Sequence, residues 1–139
     1  MSMSNATENA TLKMHLQGTD PSYRANATMY MALVTDAGGA VSEATPIANE
    51  CTYTGYARVA FTKATAWNDN GSDFTNAALV QFGKRTDAGA TQTATAFVMV
   101  DTASGAIAQG IIGTLSADLD INLNIQPQFG AGDLTIAAD

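Results

Sequence analysis

Histidine, cysteine and carboxylate side chains are the groups through which this chain could carry out catalysis or bind a metal. His15 is its one histidine and Cys51 its one cysteine. A hydrolytic triad or a zinc site needs several such groups in one arrangement. Asp118 and Asp120 alternate along a predicted strand and Asp133 lies in a later turn, without the loop spacing of a calcium site. These residue types predict no catalytic residue, no metal and no cofactor.

Two further side chains have a structural and a functional interpretation. Cys51 has no partner for an intrachain disulfide, and we interpret it as a small buried apolar residue. Trp67 lies in a polar loop, where it could be a platform for a sugar, but we favour the interpretation that it covers one end of the core. A glycan-degrading enzyme with paired carboxylates is the least favoured function, because no such pair stands in an aromatic motif.

The composition limits the partners of the chain. Its 139 residues carry a net charge of −7, a sequence pI near 4.3 and only 14% charged side chains. The six basic residues are scattered, which argues against nucleic-acid partners and against anionic membranes. The first residues have neither the basic nor the apolar region of a signal peptide, and no apolar run is long enough to span a bilayer. We expect one domain over residues 1–139.

The residues 5–18 form the predicted N-terminal helix. Asn5 and Glu8 have the spacing of a capping box, and Gly18 is placed to end the helix. Leu12, Met14 and Leu16 give it apolar side chains on more than one side. Such a helix must be covered, either by its own sheet or by a neighbouring subunit.

The remainder, residues 28–139, is predicted to be β structure. Period-two alternation and turn signals indicate about seven or eight strands, with a Gly-rich turn at 36–40 and an irregular segment at 41–49. We expect an antiparallel β-sandwich that resembles a jelly roll, with one N-terminal α-helix. The predicted strands are 28–35, 52–62, 74–82, 93–100, 106–115, 119–125 and 134–137.

The segment from Glu50 to Phe61 is the densest meeting of aromatic rings, glycine and arginine in the sequence. It alternates as a strand with a possible bulge at Gly55, and Tyr56 and Arg58 share one face. The simpler interpretation pairs Arg58 with a carboxylate such as Glu50 or Asp101. The alternative, which we favour less, is a contact between subunits.

The order of motifs resembles a family of small structural proteins of tailed bacteriophages. Members are often labelled "tail fibre" but are similar to capsid decoration proteins in size and β-sandwich build. The resemblance covers nearly the whole chain and implies fold and virion membership rather than a mechanism. The motifs that carry it are Thr28-Met29-Tyr30-Met31-Ala32-Leu33, Tyr53-Thr54-Gly55-Tyr56-Ala57-Arg58, Asp101-Thr102-Ala103-Ser104-Gly105 and Gly132-Asp133-Leu134-Thr135-Ile136.

The resemblance implies a non-enzymatic capsid decoration, or cement, protein on the virion surface, assembled in the host cytoplasm. Its expected partners are the major capsid protein and copies of itself in a homotrimer. The alternative is a tail-tip or tail-fibre module that contacts a host glycan through Trp67 and the loop 84–87. The expected interface residues are Leu12, Met14, Leu16, Tyr23 and Arg24, and the expected structural residues are Tyr53, Gly55, Tyr56 and Arg58.

Overall fold

The computed structural model describes residues 2–36 and 41–137 of the chain. Within these ranges the protein is mainly β, with one α-helix, α1 (Asn5–Gln17), and a short 3₁₀ helix (Ser22–Ala25). The strands are β1 (Ser2–Met3), β2 (Thr28–Val34), β3 (Val59–Thr62), β4 (Trp67–Asp69), β5 (Asp73–Asn76), β6 (Val80–Gln81), β7 (Gln92–Val100), β8 (Gly110–Ile121), β9 (Gln128–Phe129) and β10 (Thr135–Ala137).

The strands form three antiparallel sheets. The largest has five strands in the order β1-β8-β7-β2-β3, and the others are β10-β5-β4 and β6-β9. One face of the large sheet packs against side chains of the two smaller sheets, so the main core lies between two layers. The predicted mainly antiparallel β fold with one helix is therefore confirmed, and the layering is consistent with a β-sandwich. The strand count exceeds the predicted seven or eight because β1, β6 and β9 have only two residues each.

The large sheet is apolar on both faces at its centre. Along β7, Phe97 and Met99 join the main core, whereas Val98 and Val100 join a second cluster on the opposite face. Partly buried side chains, among them Ile47 of the irregular segment 41–49, pack against that second cluster. The prediction of a central strand at residues 28–35 is confirmed by β2, which is paired with β7 on one side and β3 on the other.

The N-cap of α1 lies one residue before the predicted cap. Ser4, rather than Asn5, is the N-cap, and its Oγ accepts a hydrogen bond from the Thr7 backbone N–H at 3.3 Å. Ser4 and Thr7 are both buried, and each accepts a hydrogen bond from the backbone N–H of Gly110. Gly18 ends the helix in the left-handed conformation, as predicted. The predicted capping box of Asn5 and Glu8 was wrong. Ser4 takes the cap position because its hydrogen bond with Gly110 of the large sheet holds it there.

The long strand β8 replaces two predicted strands. Residues 106–109 are a loop, and the chain is then extended from Gly110 to Ile121. Its pairing with β7 changes register between Ala94 and Ala96, which pair with Leu119 and Thr114. The predicted break at 116–118 therefore falls where the register shifts, but the backbone does not leave the sheet.

Two other predicted strands are interrupted. The predicted strand 52–62 is a loop with a turn as far as Arg58, and only Val59–Thr62 pairs with β2. The predicted strand 74–82 is divided into β5 and β6, and the residues 67–69 of the predicted polar turn form β4. The reversal at Asn70-Gly71 is confirmed, since β4 and β5 form a hairpin around it. Most of the predicted turn at 36–40 lies outside the described residues.

Candidate functional site

A buried ion pair organises the segment from Glu50 to Arg58. The Arg58 guanidinium donates from Nε and Nη2 to the two Glu50 carboxylate oxygens, both at 2.8 Å, and the Arg58 side chain is only 3% exposed. Its remaining donors bond to Thr102 and to the Gly105 carbonyl, so that one side chain fixes the loop after β7. The predicted pairing of Arg58 with Glu50 is confirmed, and all five guanidinium donors have acceptors.

Tyr56 completes this network, which we call the Glu50 network (Glu50, Tyr56 and Arg58). The Tyr56 hydroxyl donates to Glu50 Oε1 at 2.8 Å and accepts from the Leu33 N–H at 3.0 Å. Burial, and next the nearby Glu50 carboxylate, raise the pKa of Tyr56 well above its ordinary value. The hydrogen bonds that Arg58 donates to Glu50 raise the pKa of Arg58. Tyr56 therefore stays a neutral hydrogen-bond donor and Arg58 stays a charged one, which is a structural role.

The neighbouring aromatic and thiol groups are equally buried. Tyr53 is 4% exposed and donates through its hydroxyl to the Gly83 carbonyl at 3.0 Å. Burial raises the pKa of Tyr53 to about 12 and that of the buried Cys51 thiol to about 12, with Glu50 adding to the second shift. A thiol with that pKa is a poor nucleophile. The interpretation of Cys51 as a small buried residue is confirmed.

The loop 52–54 obtains its hydrogen bonds from side chains instead of a strand partner. The backbone N–H groups of Thr52 and Tyr53 both donate to Gln92 Oε1, and that of Thr54 donates to Asp87 Oδ1 at 2.7 Å. These acceptors lie more than thirty residues away in sequence. The predicted strand was wrong here because such distant acceptors leave no trace in the local alternation of side chains.

A second buried arginine, Arg85, was missed by the sequence analysis. It is 1% exposed, and its guanidinium donates to Asp87 Oδ2 and to the carbonyls of Ala90 and Ile121. The hydrogen bond from Arg85 to the Ile121 carbonyl joins the loop 83–90 to the end of β8. In the sequence, Arg85 stands two residues before Asp87 in a Gly-rich loop. Exposed charges in loops show the same pattern, so it does not by itself predict a buried ion pair.

The Arg85 ion pair predicts a pH dependence of stability. Hydrogen bonds from Arg85, and next from the Thr54 N–H, hold the pKa of Asp87 well below its usual range. A carboxyl group with a depressed pKa stabilises the folded state above its unfolded pKa, about 3.9, and loses that effect as the pH falls. We expect the free energy of unfolding to fall as the pH is lowered from about 5 to 3, and to fall less steeply in Asp87→Asn.

Urea titrations followed by fluorescence at several pH values would measure this slope. Asp118→Asn, which removes an exposed carboxylate from β8, is the matched control and should keep the slope of the parent protein. Equal slopes for Asp87→Asn and Asp118→Asn would contradict the assignment of the acid sensitivity to the Arg85 ion pair.

The predicted interface residues occupy two neighbouring surfaces. On α1, Leu12 is 59% and Leu16 is 79% exposed, and together with Asn9, Lys13 and Gln17 they border a shallow groove of about 210 Å³. Met14, on another side of the helix, is half-buried. We call the surface around Leu12 and Leu16 the helix surface. The large sheet touches α1 mainly near its N-terminus, through Ser4 and Thr7, so the C-terminal turns present their leucines to solvent.

Tyr23 and Arg24 lie in the 3₁₀ helix that follows α1. The Arg24 Nη1 donates to Asp20 at 2.5 Å, but both side chains are more than 60% exposed. Lys63 Nζ donates to the Tyr23 carbonyl and lies 5.7 Å from the centre of the Tyr23 ring. These residues face a cavity between the sheets instead of the helix surface.

The residues proposed for glycan contact are only partly accessible. Trp67 is half-buried in β4, and its ring stacks on Phe61 with centres 5.5 Å apart. It packs against the main core, which confirms the interpretation that it covers the core. In the loop 84–87, Lys84 and Thr86 are exposed but Arg85 is enclosed by its ion pair. The Arg85 side chain is therefore not accessible for such a contact.

The described residues contain neither a cluster of potential metal ligands nor a membrane-spanning helix. In the ranges 2–36 and 41–137, no three or more His, Cys, Asp or Glu side chains come together in a group that could hold a metal ion. In the same part of the chain, α1 is too short to be a membrane span, and no described helix is both long and apolar enough to cross a bilayer.

The geometry thus defines a β-rich protein with buried polar networks that fix its loops and apolar side chains exposed on one helix. The family model described as Gp80, podophage GP4 fiber I protein gp80, matches residues 2–137, and the chain belongs to this family. A comparison with curated proteins finds no match. Membership confirms the predicted resemblance to phage virion structural proteins and a location in the virion. It also agrees with a non-enzymatic role.

Proposed function

We propose that this protein is a fibre component of a podophage particle, with a structural rather than an enzymatic role. The observation that carries the proposal is the family match over residues 2–137, whose description names a fibre. The buried networks around Glu50 and Arg85 support it, because they use charged groups to fix loops. A rigid module of this kind suits a part that is held in a large assembly.

We further propose that the helix surface attaches the protein to another virion protein. Leu12 and Leu16 expose most of their side chains, and neither joins the two buried clusters of the described residues. Burial of each leucine by a partner would stabilise the complex by up to about 2 kcal/mol. Lys13 and Gln17 at the groove edge would supply the polar rim that is typical of such contacts.

Replacement of both leucines tests the helix surface. The variant Leu12→Ser/Leu16→Ser should change the free energy of unfolding by less than about 1 kcal/mol, because both side chains are exposed in the isolated protein. Phage that carry the double variant should lose most of this protein from purified particles. Quantitative mass spectrometry of the particles, normalised to the major capsid protein, measures the loss.

The matched control is Leu79→Ser/Leu123→Ser. These leucines are 58% and 47% exposed but lie in loops away from α1. Particles with the control variant should keep the normal amount of the protein. Equal incorporation of the two double variants would show that the helix surface is not the attachment site.

Capsid decoration is the second candidate, and the exposed leucines of α1 favour it equally well. In this case the partner is the major capsid protein, and a homotrimer of this protein would sit where capsomers meet. It would stabilise the assembled shell because it binds the shell and not the free capsid subunits. The purified protein should then bind expanded capsids. Cryo-electron microscopy of particles with and without the protein separates the candidates, since density lost from the tail supports the fibre and density lost from the head supports decoration.

Contact between the fibre and a host glycan is the third candidate role. Of the side chains expected to make this contact, Trp67, Lys84, Thr86 and Asp87 keep some exposure. A glycan array with the parent protein and Trp67→Ala, together with phage adsorption measurements, tests this role. Binding that is lost in Trp67→Ala and kept in Lys84→Met would place the contact at β4.

A further inference from the structure

A cavity of about 470 Å³ lies between the two layers of the fold. This volume falls within the range of about 300–1,000 Å³ that is usual for small-molecule sites. The exposed residues Arg24 and Phe74 are among those that line it, which places its mouth at the protein surface. The cavity is distinct from the helix surface, because the two share no lining residue.

The walls of the cavity are apolar and come from both layers. The large sheet contributes side chains of β2, β3 and β7, and the smaller sheet contributes side chains of β4, β5 and β10. Sulfur and aromatic groups dominate, which suits an alkyl chain or an aryl ring. The walls include the side chains of Met29, Phe61, Met99, Trp67, Phe74 and Ile136.

The charged groups at the cavity have the opposite sign to the chain as a whole. The chain has six basic and thirteen acidic residues. Two of the basic residues, Lys63 and Arg24, line the cavity, and none of the acidic residues in the described ranges does. Lys63 uses one of its three donors on the Tyr23 carbonyl, and Arg24 uses Nη1 on Asp20. Both side chains can therefore offer further hydrogen-bond donors to an anion.

We propose that the cavity binds a free, single-chain amphipathic anion, with its alkyl or aryl part between the sheets and its carboxylate, sulfonate or phosphate at Lys63 and Arg24. The apolar walls account for the body of the ligand, and the two cations account for its head. Charge-assisted hydrogen bonds to the head fix the direction in which the ligand enters. The proposal does not depend on the fibre role.

The one tryptophan of the chain lies in the cavity wall and provides a direct probe. A bromine atom on an alkyl chain quenches tryptophan fluorescence on contact. Titration with 12-bromododecanoate should quench Trp67 saturably, with a dissociation constant on the order of 100 µM. Dodecanoate should displace it, and dodecylamine should displace it at least about tenfold more weakly, because its head has the wrong charge.

Two variants with matched controls separate the head from the body. Lys63→Met should weaken dodecanoate about tenfold and leave dodecan-1-ol unchanged, whereas Lys84→Met should change neither. Phe74→Ser should weaken both ligands, whereas Leu123→Ser, at a similar exposure, should weaken neither. Circular dichroism and thermal unfolding of each variant check that it folds.

The proposal is overturned by an absence of saturable quenching in the folded protein, by equal affinity for dodecanoate and dodecylamine, or by equal effects of Lys63→Met and Lys84→Met. Sedimentation velocity adds a further test. If self-association itself changes Trp67 fluorescence and dodecanoate does not reverse that change, a second copy fills the cavity and the proposal fails.

Discussion

Replacing Glu50 by alanine is expected to lower the free energy of unfolding by about 3–5 kcal/mol. The substitution leaves the Arg58 guanidinium, 3% exposed, without its carboxylate and leaves the Tyr56 hydroxyl without its acceptor. A buried charge that loses its partner keeps its desolvation cost, which is why one deletion is more damaging than removal of the whole pair. Urea denaturation followed by Trp67 fluorescence measures the change.

The exposed ion pair between Asp20 and Arg24 is the matched control. Both side chains are more than 60% exposed, so Asp20→Asn should cost less than about 1 kcal/mol. The double variant Glu50→Leu/Arg58→Met should recover part of the stability lost in Glu50→Ala, because it leaves neither charge buried. If Glu50→Ala and Asp20→Asn were equally stable, the Glu50 network would not be the anchor of this segment.

The substitution Gly55→Ala should lower the free energy of unfolding by about 4 kcal/mol, which is similar to the effect of Glu50→Ala. Gly55 has φ near +102°, and a Cβ there would lie 2.2 Å from the Lys84 carbonyl oxygen. Since that obstacle is backbone, it cannot move aside as a side chain could. Gly83 lies just as close on the other side, where an added Cβ would be 1.8 Å from the Gly55 carbonyl oxygen. Gly55→Ala should therefore separate these two segments.

Gly71→Ala controls for the backbone conformation alone. Gly71 has φ near +90° in the β4–β5 turn, and no atom lies within 4 Å of an added Cβ. Its substitution should cost only the strain of positive φ, about 1–2 kcal/mol. Thermal and urea unfolding of the two variants measure the difference. A Gly55→Ala protein as stable as Gly71→Ala would mean that the close approach of the two segments is not required.

Local patterns were sufficient for the elements whose partners are regular strands. Neighbouring residues determine the apolar run of Thr28–Val34, the alternation of Gln92–Val100 and the left-handed end of the helix at Gly18. Gly113 pairs with Phe97 across the large sheet, and the Phe97 ring fills the space that a Cβ at position 113 would need. These features follow from period, capping and side-chain size.

Features that depend on distant residues could not be predicted in the same way. The segment before β3 alternates like a strand, yet its N–H groups bond to Gln92 and Asp87. The side chain of Asn76, which is fully buried, donates to the carbonyls of Ala78 and Gly130 where the predicted strand 74–82 divides. The predicted interface on α1 has the exposure that it needs at Leu12 and Leu16, but its partner remains a proposal.

The burial of Cys51 has a practical consequence for experiments on assembled particles. Its thiol is 2% exposed and has a pKa of about 12, so maleimide and other thiol reagents should leave the folded protein unmodified. A cysteine introduced at an exposed position, such as Leu123→Cys, would then be the one reactive thiol of the chain. Gold or fluorophore labels could be attached there without removal of the native cysteine, and could mark the position of this protein in intact virions.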